Sequence, residues 1–318
     1  MGGSTDGMAI LSNGAHAHQL LDRHCKRMVS LHAPVLENRD PEPLHQMRVA
    51  MRRLRTCLNQ FGPALELPDG VGVQRLARSV RRLGAARDLD VLRDRLEQTL
   101  LPRLPKQEIR RLKPALKQLQ RERGEAQQQL QEVLNSSRHL KLIAQLQKWL
   151  RQPRYTPLGD EPLQHWLLEW QWPCLGTLLL HRGWRITAPQ GQRDVEELHA
   201  LRKGIKEARY RLENLQPLGG AVGLDWINRL KQGQELLGEL NDLAVLRQAI
   251  ESQASQRLAR HLPELDKLLD EQRLACWAQW RILAMELVER HERAHLVLGL
   301  IGDRALGGQP DVSGDTTN

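Results

Sequence analysis

The segment LHQMRVAMRRLRTCLNQFGP, residues 44–63, decides how the rest of the chain reads. Leu44, Met47, Met51, Leu54 and Leu58 recur at three- and four-residue intervals, the period of a helix with one buried face. Asp40 predicts an N-cap with Pro41 at the first helical position, and Gly62-Pro63 predicts the stop. The polar residues are unusual: four arginines, one histidine and no Asp or Glu. With His45 as the zero direction, Arg48, Arg52 and Arg55 fall at roughly 300°, 340° and 280°, an arc of about 80° that runs about 15 Å along the helix. Arg53 falls off this stripe. Like charges so spaced repel by a few tenths of a kcal/mol per pair on an exposed helix. A cationic ridge beside a core-facing stripe, with no carboxylate to offset it, points to an anionic ligand.

The same pattern returns 154 residues later. RDPEPLHQMRVAMRRLR from Arg39 matches RDVEELHALRKGIKEAR from Arg193, with Arg39, Asp40, Glu42, Leu44, His45, Arg48 and Arg55 recurring as Arg193, Asp194, Glu196, Leu198, His199, Arg202 and Arg209. LGAARDLDVLR from Leu83 matches LGELNDLAVLR from Leu237 at seven of eleven positions, at the same shift. Two motifs at one offset mean a tandem duplication. His199, Arg202, Lys206 and Arg209 form the second ridge, and Asp194 is expected to cap its helix as Asp40 caps the first. Arg75, Arg78 and Arg82 add cations at helical spacing on the next helix, and Lys231 lies in the corresponding helix of the second half. Gly84 and Gly238 are expected to permit close helix approach. Asp88 and Asp242 are expected to orient arginines rather than do chemistry.

Leu, Arg, Gln, Ala and Glu dominate and β-branched residues are sparse, so the fold class is all-α. Further helices are expected over 15–36, 71–101, 105–135 with a continuation to 150, 162–183, 222–252 and 256–300. That makes about four long helices per half, the halves running about 15–150 and 160–302. The tails 1–14 and 303–318, rich in Gly, Ser, Asp and Thr, are expected to be disordered. His16 and His18 then form a flexible N-terminal pair without a role.

Composition bounds the function. The 318 residues carry 47 Lys and Arg against 38 Asp and Glu, a net charge of +9, which favours polyanionic partners. Aromatic residues are 3% of the chain, few for a protein that stacks single-stranded bases. Cys25, Cys57, Cys174 and Cys276 form no C-x-x-C and read as buried, reduced thiols of a cytosolic protein. No apolar run is long enough for a membrane span. The start has no signal-peptide pattern, and Asp6 breaks the myristoylation pattern.

LHQMRVAMRRLR with LGAARDLDVL, then LHALRKGIKEARYRLE with LGELNDLAVL, resemble the CHAD family, the conserved histidine α-helical domain, over about residues 15–300. The resemblance implies two four-helix bundles related by pseudo-two-fold symmetry, with a basic groove between them. It also implies binding of inorganic polyphosphate, sometimes with recruitment to polyphosphate granules. Its histidines carry over to His45 and His199, and its motif cations to Arg48, Arg52, Arg55, Arg202, Lys206 and Arg209. Glu207 stands where the first motif has Arg53, so equal use of the two halves is in question. The E-x-E-x-K motif of the triphosphate-hydrolysing domain fused to some members is missing, which makes this the stand-alone form, with no enzyme activity and no cofactor expected.

Nucleic-acid binding through the same basic surface is the main rival, and it lacks a recognition-helix module here. Attachment of an acidic protein is a third reading. HERAH, residues 291–295, satisfies the zinc-protease pattern H-E-x-x-H. Leu298 stands where the extended motif needs glycine, and no glutamate follows Glu292 to complete the ligands, so no metal site is expected.

Overall fold

The computed structural model describes residues 11–189, 191–216, 218, 220–254 and 257–301, with the side chains of 78–80, 82, 253, 254 and 301 outside that description. Its helices are α1 (Asn13–Ser30), α2 (His32–Glu37), α3 (Glu42–Phe61), α4 (Val73–Asp94), α5 (Lys106–Leu134), α6 (Ser137–Arg151), α7 (Pro157–Asp160), α8 (Leu167–Leu179), α9 (Gln192–Asn214), α10 (Gly220–Ala254), α11 (Leu258–His261), α12 (Pro263–Val288) and α13 (Arg290–Ile301). Among the described residues there is no strand, and the all-α class stands. None of these helices is long and apolar enough to cross a membrane.

The boundaries have local causes. Pro34 has no N–H to give to the Ser30 carbonyl, and the expected helix over 15–36 breaks at Leu31 into α1 and α2. The expected helix over 256–300 is three, because Leu262 leaves the helical conformation and Pro263 begins α12 at a position where its missing N–H costs nothing. A second break falls at Glu289. After α4 the backbone loosens into a π turn over Arg95–Leu100 and tightens over Leu101–Arg103. At α3 the cap shifts by one residue: Pro41 is the N-cap, and Asp40 accepts the Glu42 N–H at 2.8 Å. Asp194 does not cap α9; Gly191 does, without a side-chain bond, and Asp194 sits in the first turn. α9 ends at Asn214, and the residues Pro217 and Gly219 expected to stop it, before Gly220, lie outside the described residues.

The chain packs as two units, one of Met1–Trp166 with Glu235–Arg281, the other of Leu167–Gln234 with Ile282–Asn318. In the first unit α1 packs on α3, α3 on α4 and α4 on α5. Its leucine core joins Leu92, Leu96, Leu112 and Leu119 to Leu246, Ile250, Leu265 and Leu269. Each such buried leucine contributes about 2 kcal/mol from its area. Two polar anchors fix this unit. Arg123 and Asp90 form a buried ion pair at 2.7 Å, and Arg123 also reaches Asn38, whose left-handed φ of 51° closes α2. Glu108, 4% exposed, accepts the N–H groups of Glu264 and Leu265 at 2.9 and 3.0 Å, a carboxylate seated on the first turn of α12.

The N-terminal segment departs from expectation. Asn13 and Gly14 begin α1, and Ser12 caps it through the Ala15 N–H. A Cβ at Gly14 would lie 2.5 Å from the Tyr155 ring, so only glycine fits there. His16 is buried edge-on to Phe61, and His18 bonds the Leu150 carbonyl at 2.9 Å. Both histidines are structural. Of the expected tails, residues 1–10 and 303–318 lie outside the described residues.

In the second unit α8 packs on α9 and on α13. Leu175, Leu178, Trp184, Leu201 and Ile205 are buried there. The four cysteines are free, and Cys174 is half-buried rather than buried. Burial pushes the Cys174 thiol up to about 11, so it is protonated at neutral pH.

Candidate anion-binding site

On α3 the apolar positions turn inward as their spacing requires: Leu44, Met47, Met51, Leu54 and Leu58 are all buried. That fixes the helix's rotation and leaves His45, Arg48, Arg52 and Arg55 half-buried along the neighbouring face. Arginine stems at such a boundary lie on apolar surface while the guanidinium reaches water. Arg48 reaches across to α4, where its Nη1 donates to Asp88 Oδ1 at 2.6 Å and to the Gly84 carbonyl at 3.4 Å. Asp88 therefore orients an arginine, as expected. Gly84 is not demanded by crowding: a Cβ there would stand 4.0 Å from Arg48 and Asp88, an ordinary contact distance.

Burial holds the His45 imidazole below its ordinary range, and the charges of Arg87, Arg48 and Arg52 push the same way against the opposing pull of Glu42. The ring is neutral at pH 7 with cations on both helices near it. Arg87 escapes the sequence reading because the 154-residue shift pairs it with Asn241. Its helical register was the available signal, one turn beyond Gly84 and beside Asp88. Arg53, off the stripe, faces another way: with burial foremost, then Arg53 and Arg23, the His24 ring is lowered to about 4.

The remaining first-half cations divide. Arg75 is exposed in the first turn of α4, where its Nη1 donates to the Gly70 carbonyl at 3.2 Å and closes the loop before the helix. The side chains of Arg78 and Arg82 lie outside the described residues.

On α9 the same spacing gives a different environment. His199, Arg202 and Lys206 are half-buried, and Arg202 Nε is buried without a hydrogen-bond partner. Arg209 is 8% exposed. Its Nη1 pairs with Glu213, its Nε donates to Gln234 at 3.3 Å, and its guanidinium lies 4.3 Å from the centre of the Tyr210 ring. Arg209 is thus engaged by its own surroundings to a degree that its spacing on the ridge does not reveal. Glu207 pairs with Arg211 at 3.3 Å. Lys231 is exposed on the part of α10 that belongs to this unit. Asp242 Oδ1 accepts from the neighbouring Asn241 at 3.3 Å.

The H-E-x-x-H segment has a structural use. Glu292 accepts from Arg229 at 2.5 Å, and that hydrogen bond holds its carboxyl below the usual range. The glutamate that a zinc protease would use on water is committed to an arginine. Among the described residues no three metal-binding side chains gather.

The crystal structure of the CHAD domain from the plant Ricinus communis superposes with a TM-score of 0.59 at 27% identity, covering 91% of this chain and 93% of that one. PptA from Streptomyces chartreusis gives a TM-score of 0.63 over 86% of this chain and 99% of its own, and at 17% identity that likeness is one of fold. No curated protein matches the chain. The CHAD domain model matches residues 19–251, and the chain belongs to the CHAD domain family.

Proposed function

We propose that this protein binds inorganic polyphosphate without transforming it, and that the α3 ridge is its principal contact. One observation carries the reading: a half-buried row of His45, Arg48, Arg52 and Arg55 with no carboxylate in its own sequence from Leu44 to Pro63. Membership of a family associated with polyphosphate supports it. Arginine suits the ligand because its planar fork donates two parallel hydrogen bonds to phosphate oxygens and keeps its charge at any physiological pH. Binding releases counterions from the polyanion and so weakens steeply with salt, as it does for nucleic acid.

The aromatic residues argue against base stacking. Phe61, Trp149, Trp170, Trp184, Tyr210, Trp226 and Trp280 are buried, the exposed Trp172 lies on α8, and none of the ridge positions is aromatic. A chain of bare phosphates needs no stacking platform. A cytoplasmic place, with attachment to polyphosphate granules, belongs to the same reading.

Charge reversal tests it. Arg48→Glu with Arg202→Glu removes two charge-assisted contacts and replaces them with repulsion, a loss of at least about 100-fold in affinity. Isothermal titration with long-chain polyphosphate measures this, and circular dichroism checks that helicity is kept. A double variant that binds like the parent places the site elsewhere.

A further inference from the structure

A second row of cations, on α5, has no part in the ridge. Lys106, Arg110, Lys113 and Lys117 follow each other at four-, three- and four-residue steps. At 100° per residue they share an arc of about 60° and span roughly 16 Å. All four are exposed, and among the described residues none of the four makes an ion pair. The acids of this part of α5 are engaged elsewhere: Glu108 on the first turn of α12, Glu122 with Gln118 at 2.9 Å, and Glu125 with Arg121 at 3.2 Å.

This row is costly where it stands. It occupies the N-terminal half of a 29-residue helix, and its first members sit where the helix dipole disfavours cations. Successive members repel. The duplication does not account for it, since the 154-residue shift carries the four positions to Arg260, Glu264, Lys267 and Glu271, a row of alternating sign. The first half alone has an unbroken positive face.

We propose that the α5 row is a second, outer contact for long polyphosphate chains, engaged when a chain is longer than the α3 ridge holds. This rests on the polyphosphate reading above and adds to it a source of chain-length preference. The chemistry commits the face to a linear polyanion without bases. It is three lysines and one arginine, with no aromatic residue on α5 to stack a base. Exposed lysines act as point charges, contributing affinity and salt dependence without fixing register.

The test uses the full chain with Lys106→Gln, Arg110→Gln, Lys113→Gln and Lys117→Gln together. Glutamine keeps helix propensity, so the variant folds at least as well as the parent. Lys113→Gln with Lys117→Gln alone serves as the milder form. Titrations use tripolyphosphate, long-chain polyphosphate and duplex DNA at matched phosphate. The expected result is long-chain affinity reduced about tenfold at low salt, a salt slope smaller by about three, and tripolyphosphate affinity unchanged. Unchanged long-chain affinity overturns the proposal. So does an equal loss for both chain lengths, which would place the effect on the ridge. Loss confined to DNA assigns the face to nucleic acid instead. A parent protein that binds neither polyphosphate is a different failure, that of the functional reading itself.

Discussion

The ridges on α3 and α9 share their spacing and differ in their counter-ions. On α3 the fourth cation, Arg55, is half-buried on a helix without a carboxylate from Leu44 onward. On α9 its counterpart Arg209 is buried, paired with Glu213 and bonded to Gln234. One step off the stripe, Arg53 has been replaced by Glu207, which pairs with Arg211. The α9 helix carries acids beside its last cations, whereas the acid of α3, Glu42, sits in its first turn near His45. The repeated spacing gives both helices a cationic stripe, and the neighbouring residues tie the last cation of the α9 stripe into the scaffold. Residue type and spacing locate such a face; the carboxylates beside it, on the same helix as Glu213 is for Arg209 or on the next as Asp88 is for Arg48, set how far its charge is offset.

The sharpest way to break this comparison is to truncate the two counterparts. Arg209→Ala strands Glu213 in a site that is 16% exposed, and we expect a loss of about 3 kcal/mol in unfolding free energy by urea denaturation. Arg55→Ala should change stability by less than about 1 kcal/mol while lowering polyphosphate affinity severalfold. Equal destabilisation by both would mean that Arg55 is scaffold too.

A smaller effect sharpens the picture of the surrounding charge. His24 has its folded pKa depressed to about 4 by burial, Arg53 and Arg23. The unfolded chain therefore takes up the proton first, and stability falls as the pH drops from about 6.5 towards 4, by about 2 kcal/mol at pH 5. Melting temperature against pH measures it. His24→Gln should flatten that stretch of the profile, and an unaltered slope would assign the acid sensitivity to other groups.

Much of this was legible in the sequence. The α3 core stripe followed from its three- and four-residue spacing, and Asp88 was recognised as an arginine's partner. Glu213, four residues beyond Arg209, is visible in the sequence too, but the 154-residue shift pairs it with Asn59, so the repeat does not mark it. Pro263 announced a new helix inside a span read as continuous. The π turn over Arg95–Leu100 left no such mark, because it depends on how neighbouring helices pack. Arg87 was hidden for a related reason: its place beside His45 depends on how α4 lies against α3, which spacing along one helix does not encode. His16 and His18 looked idle because nothing local shows that Phe61 and the Leu150 carbonyl come to meet them.

The central claim is that the α3 cationic ridge binds a phosphate chain in preference to a nucleic acid. The direct measurement is calorimetric titration of the parent protein with long-chain polyphosphate, single-stranded RNA and duplex DNA at matched phosphate and one salt concentration. The account predicts polyphosphate as the tightest ligand by at least about tenfold, with a steep salt dependence. Equal or tighter binding of RNA or DNA would contradict it.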